Sequence, residues 1–310
     1  MLHLIVNRFF LRIFTLSFCC LAYSVSVQAA DKKISIVTTT SMVADAVRVV
    51  GGKRVQVQAL MGEGVDPHLY KASPGDLKLL TDAEIIFYNG LHLEGKMAEI
   101  LEKLSKKKPV YAVASGIDTK LLRQPSEFMG QYDPHIWFDV TLWKQVVSYI
   151  AKVLIQRDPA GAEYYQLQEQ KYQAELDRLH AEVLSKIATI PVAKRVLITA
   201  HDAFGYFGRA YAIEVRGIQG ISTDSEASIQ EMNALVDLIS SRKIKAVFIE
   251  SSVPQKAIEA LIEGAASRGH KVEIGGQLYS DAMGKEGTAE ATYLGMFRFN
   301  VSKIVEALHG

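Results

Sequence analysis

The chain is nearly without cysteine: it has two in 310 residues, Cys19 and Cys20, side by side near the start. Everything after them is therefore excluded from disulfide stapling, thiolate metal sites and cysteine nucleophiles together. A surplus of charge of one sign is also missing, with 35 Lys and Arg against 34 Asp and Glu. A nucleic-acid partner is thereby not expected, because its phosphates are met by a basic face. Low-complexity tracts and flexible linkers are absent, and no long apolar run recurs after the first thirty positions.

Those first positions read as a leader. Arg8 and Arg12 give a positive start, an apolar run follows from Ile13 to Tyr23, and Val27-Gln28-Ala29 puts small residues at the −3 and −1 positions of a cut after Ala29. That is the pattern of a secretory signal peptide, residues 1–29. The run falls short of the roughly 20 apolar residues a membrane span needs. Phe18 stands before Cys19 where a lipidation motif wants a small residue, so a lipid anchor is not expected. Removing residues 1–29 takes away two Arg and no acid, leaving 33 positive against 34 negative side chains. The remaining length can bury a large core, and two lobes are its natural division.

Strand and helix patterns alternate through most of this length. Ile34–Thr38, Val55–Leu60, Ile85–Tyr88 and Val110–Val113 read as strands. Between them, helices are expected from Ser41, as the capping residue, to Gly51-Gly52, from Ser73-Pro74, and around Lys96–Leu104. The middle is different. One helical pattern covers Thr141–Gln156, and a second runs from Pro159 to about Ala188 with Tyr165, Leu167, Tyr172, Leu176, Leu179, Val183 and Ile187 at helical spacing. Such a helix would serve either as an ordinary surface helix or as a stiff spine, and the spine is favoured because the alternation restarts straight after it. Val196–Thr199, Ala246–Ile249 and Val272–Ile274 are the later strands, with helices near Ser228–Ser241, Pro254–Ser267 and Thr292–Leu308. The rhythm implies an α/β fold, two lobes each with a mostly parallel sheet flanked by helices, joined by one long rigid helix. The boundaries fall at 30–157 for the first lobe, 158–190 for the linking helix and 191–310 for the second lobe.

Ligands of open α/β sheets bind in loops past the carboxyl ends of strands. His68, His135, His201 and Asp281 stand in such loops. Three imidazoles and one carboxylate make a complete donor set for a divalent transition metal. His68 and His135 each close an Asp-Pro-His tripeptide, in which proline stiffens the backbone and Asp66 and Asp133 are placed to support the ligands. Taken singly, each histidine is as readily a surface or hydrogen-bonded residue, and the spacing is not a compact metal motif. His92, His180, His270 and His309 have no partner set; Asp224 and Glu226 either line the cleft or cap the following helix, capping being favoured; Trp137 and Phe204 read as a dry wall beside the ligands.

From about Ile34 to its end the chain resembles the metal-specific solute-binding proteins of ABC importers, the TroA-like zinc and manganese family. The stretches that carry the resemblance are Gly64–His68, Tyr88–Glu94, Asp133–Trp137, His201–Phe207 and Leu278–Gly284. It implies two α/β lobes bridged by one long helix with the ion between them, His68 and His135 coming from the first lobe and His201 and Asp281 from the second. It further implies a monomeric periplasmic carrier, not an enzyme, that hands its cargo to a permease in the inner membrane. Two departures bear on the cargo. The segment 116–131 has no His and few acids where dedicated zinc carriers often have a His-rich loop, and His201 stands where strict manganese carriers tend to have Glu. Manganese and zinc therefore both stay open, and iron is compatible with the set. A zinc hydrolase and a surface adhesin are the rival functions. Binding through three histidines is expected to weaken below about pH 6, since each must be neutral to ligate.

Overall fold

Four short β-branched runs assemble into a parallel sheet. The protein is described by a computed structural model covering residues 33–128 and 130–309; the expected leader lies outside these residues. Strands β1 (Ile34–Thr38), β2 (Val55–Ala59), β3 (Ile85–Tyr88) and β4 (Val110–Ala112) take the order β2-β1-β3-β4, every pairing parallel. Helices α1 (Ser41–Gly51), α2 (Pro74–Asp82) and α3 (Ala98–Ser105) make the crossovers. The cap of α1 is Thr40, whose hydroxyl accepts the Val43 N–H; the expected Ser41 is instead the first helical residue. At the other end Gly52 adopts φ 49° with the Tyr164 hydroxyl lying where a Cβ would project, so only glycine fits. Ser73 and Asp76 form a reciprocal capping box on α2, with Pro74 in its first turn.

Two long helices follow, α4 (Val140–Arg157) and α5 (Ala162–Ala188). The 27 residues of α5 span roughly 40 Å at 1.5 Å per residue. Its buried stripe is Tyr165, Tyr172, Leu176, Leu179, Val183 and Ile187, whereas Leu167 is exposed. The first half of α5 bonds back to α4, with Gln173 Nε2 donating to the Lys144 carbonyl at 2.8 Å.

Beyond it come β5 (Val196–His201), α6 (Gly205–Tyr211), β6 (Glu214–Gln219), α7 (Ile229–Arg242), β7 (Ala246–Glu250), α8 (Lys256–Ser267), β8 (Glu273–Leu278) and α9 (Tyr293–His309). β5 pairs β6 and β7 pairs β8, both parallel, and β5 lies beside β7. The second half of α5 reaches these elements: His180 Nδ1 lies 3.2 Å from the Tyr211 hydroxyl, and Arg298 donates to Glu182 at 2.9 Å. The α/β architecture, parallel sheets flanked by helices with one long helix between, is as expected. The sequence pattern did not reveal α6 and β6, and β5 runs two residues further than that pattern indicated.

One apolar core continues across both halves. Phe138, ahead of α4, packs at a tilt against Phe204 with ring centroids 4.2 Å apart, and Trp143 of α4 stacks on Tyr293 of α9 at 5.2 Å. The buried carboxyl of Asp45 on α1 accepts the Tyr293 N–H at 3.0 Å. Prying the halves apart along this seam would expose several fully buried aromatics at roughly 1.5–3 kcal/mol each, so wide opening there is costly.

Candidate metal centre

The chain ends of the sheets converge on one point. His68 sits in the loop after β2, His135 in the loop leading to α4, His201 is the last residue of β5, and Asp281 follows β8. Their candidate ligand atoms all lie within 4.8 Å of one another, and all four side chains are buried. His68 Nε2 is 3.3 Å from His135 Nε2 and 3.6 Å from Asp281 Oδ2. His135 Nε2 is 3.4 Å from Asp281 Oδ1, and His201 Nε2 is 3.2 Å from Asp281 Oδ2. Donors about 2.0–2.1 Å from a common tetrahedral centre stand roughly 3.4 Å apart, so the spacing fits a divalent ion. Both carboxylate oxygens of Asp281 turn inward, which also suits a harder ion held by a bidentate carboxylate.

Hydrogen bonds on the outer ring nitrogens set the tautomers. His135 Nδ1 donates to Asp133 Oδ1 at 2.8 Å, and the same oxygen accepts the His135 backbone N–H at 3.0 Å. His201 Nδ1 donates to Glu250 Oε2 at 2.6 Å while its backbone N–H donates to Oε1 at 2.8 Å. With hydrogen on Nδ1, each Nε2 presents a lone pair to the centre. Lone pairs aimed at one another and at a carboxylate repel unless protons or a metal cation lie between them. The orphaned atoms agree: His201 Nε2 and both oxygens of Asp281 are buried with no hydrogen-bond partner among the described residues.

The ionisation of the metal-free cluster follows its neighbours. Burial pulls the His135 imidazole down, but Asp133 and Asp281 outweigh it and raise it to about 9. His201 is likewise lowered by burial yet lifted well above its ordinary value by Glu250 and Asp281. Burial works to raise Asp281, and His201 and His135 hold it well below the usual carboxylate range. His68 behaves oppositely, burial pushing it down to about 3 against the pull of Asp281.

The surroundings lock this arrangement. Arg123 pairs with Asp133 and lies across Gly205, where any side chain would collide with the guanidinium. Tyr206 donates its hydroxyl to the Asp133 carbonyl at 2.9 Å. Trp137 packs edge-on to His135 and donates Nε1 to the Ser280 carbonyl at 2.9 Å, next to Asp281. Phe204 is buried against Phe138, forming the wall behind. The Tyr88–Glu94 stretch positions the second histidine loop. Glu94 accepts the N–H groups of Asn89 and Gly90, and Asn89 Nδ2 donates to the Pro134 carbonyl at 3.0 Å.

All four expected ligands are thus brought together, and Asp66 and Asp133 both support them. Glu250 and Arg123 were missed. The only signal for Glu250 is an acid closing an otherwise apolar strand. Asp224 does not cap α7, which is capped by Ser228, but pairs with Lys96 at 2.9 Å. His180 and His270 bond to Tyr211 and to the Ile244 carbonyl, away from the centre.

The family of zinc-uptake complex component A, periplasmic (ZnuA), matches residues 36–307. The chain belongs to the ZnuA family. This ZnuA-family chain is 48% identical over 281 residues to the manganese-binding lipoprotein MntA of Bacillus subtilis, covering 91% of this chain and 92% of that one. It is also 48% identical over 280 residues to the zinc-binding protein TroA of Treponema pallidum, covering 90% of each. The solved periplasmic zinc-binding protein TroA superposes with a TM-score of 0.88 at 47% identity, over 90% of this chain and all of that one. A manganese-bound periplasmic metal-binding protein of Candidatus Liberibacter asiaticus gives 0.78 at 25% identity, covering 89% of this chain and 100% of that one. Relatives named for manganese and for zinc stand equally near. MntA is named a lipoprotein, which contradicts the expectation, drawn from Phe18 before Cys19, of a chain without a lipid anchor; Cys19 and Cys20 lie outside the described residues. No described helix is long and apolar enough to cross a membrane.

Proposed function

We propose that this chain is the solute-binding component of an ABC importer, capturing one divalent transition metal ion, manganese or zinc, through His68, His135, His201 and Asp281. Iron is compatible with the same donors. The lobes are 30–157 and 191–310, with 158–190 as the spine, and the chain acts in the periplasm as a monomer that delivers its cargo to the inner-membrane permease. The observation that carries this reading is the buried Asp281 carboxylate, whose two oxygens lack hydrogen-bond partners among the described residues and face three imidazole nitrogens. In the metal-free chain protons on His135 and His201 compensate that buried charge, and a divalent cation bound by the same four groups takes their place.

Carriage fits better than hydrolysis. A catalytic zinc keeps one position open for water beside three protein ligands, whereas four protein groups surround this centre. Glu250, the acid nearest His201, engages its Nδ1 on the side away from the cluster and has no path to a metal-bound water.

Elemental analysis of protein purified from its native compartment tests the reading. About one transition-metal ion per chain is expected in the wild type, and none in His201→Ala with its fold retained by circular dichroism. Metal retained at full occupancy by His201→Ala contradicts it.

A further inference from the structure

His68 is supported differently from the other two imidazoles. No carboxylate holds its Nδ1 among the described residues; its backbone N–H donates to Asp66 Oδ1 at 2.8 Å. The second oxygen of Asp66 accepts the hydroxyl of Thr223 at 2.6 Å, from the loop between β6 and α7 on the opposite lobe. The next residue of that loop, Asp224, pairs with Lys96 on the first lobe at 2.9 Å. One loop thus grips the first lobe at two consecutive residues, and one of those contacts ends on the carboxylate that orders a ligand. His68 is also the most exposed of the four ligands, at 4%. The Lys96–Asp224 pair is open to solvent and contributes little, while the Thr223–Asp66 hydrogen bond at the rim is partly buried.

The geometry points to Thr223 as a positioning residue: its hydrogen bond to Asp66 latches the 220–227 loop across the site and sets how fast the ion leaves past His68. With the loop in place Asp66 is held at both oxygens, and the His68 backbone is fixed. When the loop lifts, Asp66 loses one anchor and His68 is the first donor free to turn away. His135 and His201, braced by Asp133 and Glu250, stay in position. The latch rests on the metal-capture reading above and adds a residue that touches no metal.

Stopped-flow release of zinc from the loaded full chain into excess chelator tests it. Thr223→Val, nearly equal in volume, should release zinc about tenfold faster, as loss of one hydrogen bond to a carboxylate implies. The association rate and the unfolding temperature of the metal-free protein should stay at wild-type values, and Thr223→Ser should restore slow release. Asp66→Ala removes the same contact from the other side, and adding Thr223→Val to it should give no further acceleration. Release from Thr223→Val at the wild-type rate, or independent effects in the double variant, overturns the latch. A wild-type chain that takes up no zinc overturns the metal-capture reading with it.

Discussion

The same tripeptide, Asp-Pro-His, occurs at 66–68 and 133–135, and the two copies are used in different ways. In both, the Asp accepts the backbone N–H of the His two residues on, at 2.8 and 3.0 Å. In the second copy that carboxylate oxygen also takes the ring Nδ1, and the carboxylate's other oxygen meets Arg123, ten residues earlier in the chain. In the first copy the spare oxygen goes across the site to Thr223. One motif therefore yields a histidine locked from behind and a histidine tied to the loop between β6 and α7. Affinity is built into the braced donors, and exchange is governed at the rim.

The largest expected difference between the copies is in pH response. A divalent ion needs neutral imidazoles, and His135 in the metal-free protein is raised to about 9 while His68 is lowered to about 3. Below pH 9 the ion must displace a proton from His135, so apparent affinity falls about tenfold for each unit of acidification per proton released. His68 adds no slope until far lower pH. The weakening thus begins well above the pH 6 expected from an ordinary histidine. Calorimetry at pH 8 and pH 6 should differ by about 100-fold or more in Kd; equal values would break the comparison.

Asp133→Asn comes next. It removes the charge behind His135 and should weaken metal binding by about 10- to 100-fold, while flattening the pH dependence, as read by competition with a fluorescent chelator. Asp66→Ala should change the release rate more than the acid response. Identical pH profiles for the two variants would mean that the copies are equivalent after all.

Smallest is Lys96→Gln. The pair with Asp224 is solvent-exposed on both sides, so its loss should shift binding by less than about 1 kcal/mol and vanish at high salt. A larger effect in calorimetry at low and high salt would move the latch from Thr223 to this ion pair.

Strand position alone points to His201, which closes β5, and to Asp281, just past β8; His68 and His135 lie well beyond β2 and β4, and the full set was read mainly from the family resemblance. The Ser73-Pro74 start and the buried stripe of α5 were legible because local chemistry and helical period decide them. Glu250 was not, since it reaches His201 only through the adjacency of β5 and β7, a tertiary fact with no trace in a spacing of 49 residues. β6 was hidden because Glu214, Arg216 and Gln219 interrupt its apolar pattern at a partly exposed edge. Arg123 was hidden in a segment that reads as loop. The cap of α1 was misplaced by one residue because Thr40 and Ser41 have equivalent capping chemistry, and the free hydroxyl of Ser41 accepts the Met283 N–H instead.

Zinc K-edge X-ray absorption of the loaded full chain tests the convergence of the four donors most directly. The predicted spectrum shows one zinc with three imidazole nitrogens and carboxylate oxygen at about 2.0–2.1 Å. A shell with fewer than three imidazoles, or one dominated by water oxygens, would contradict it.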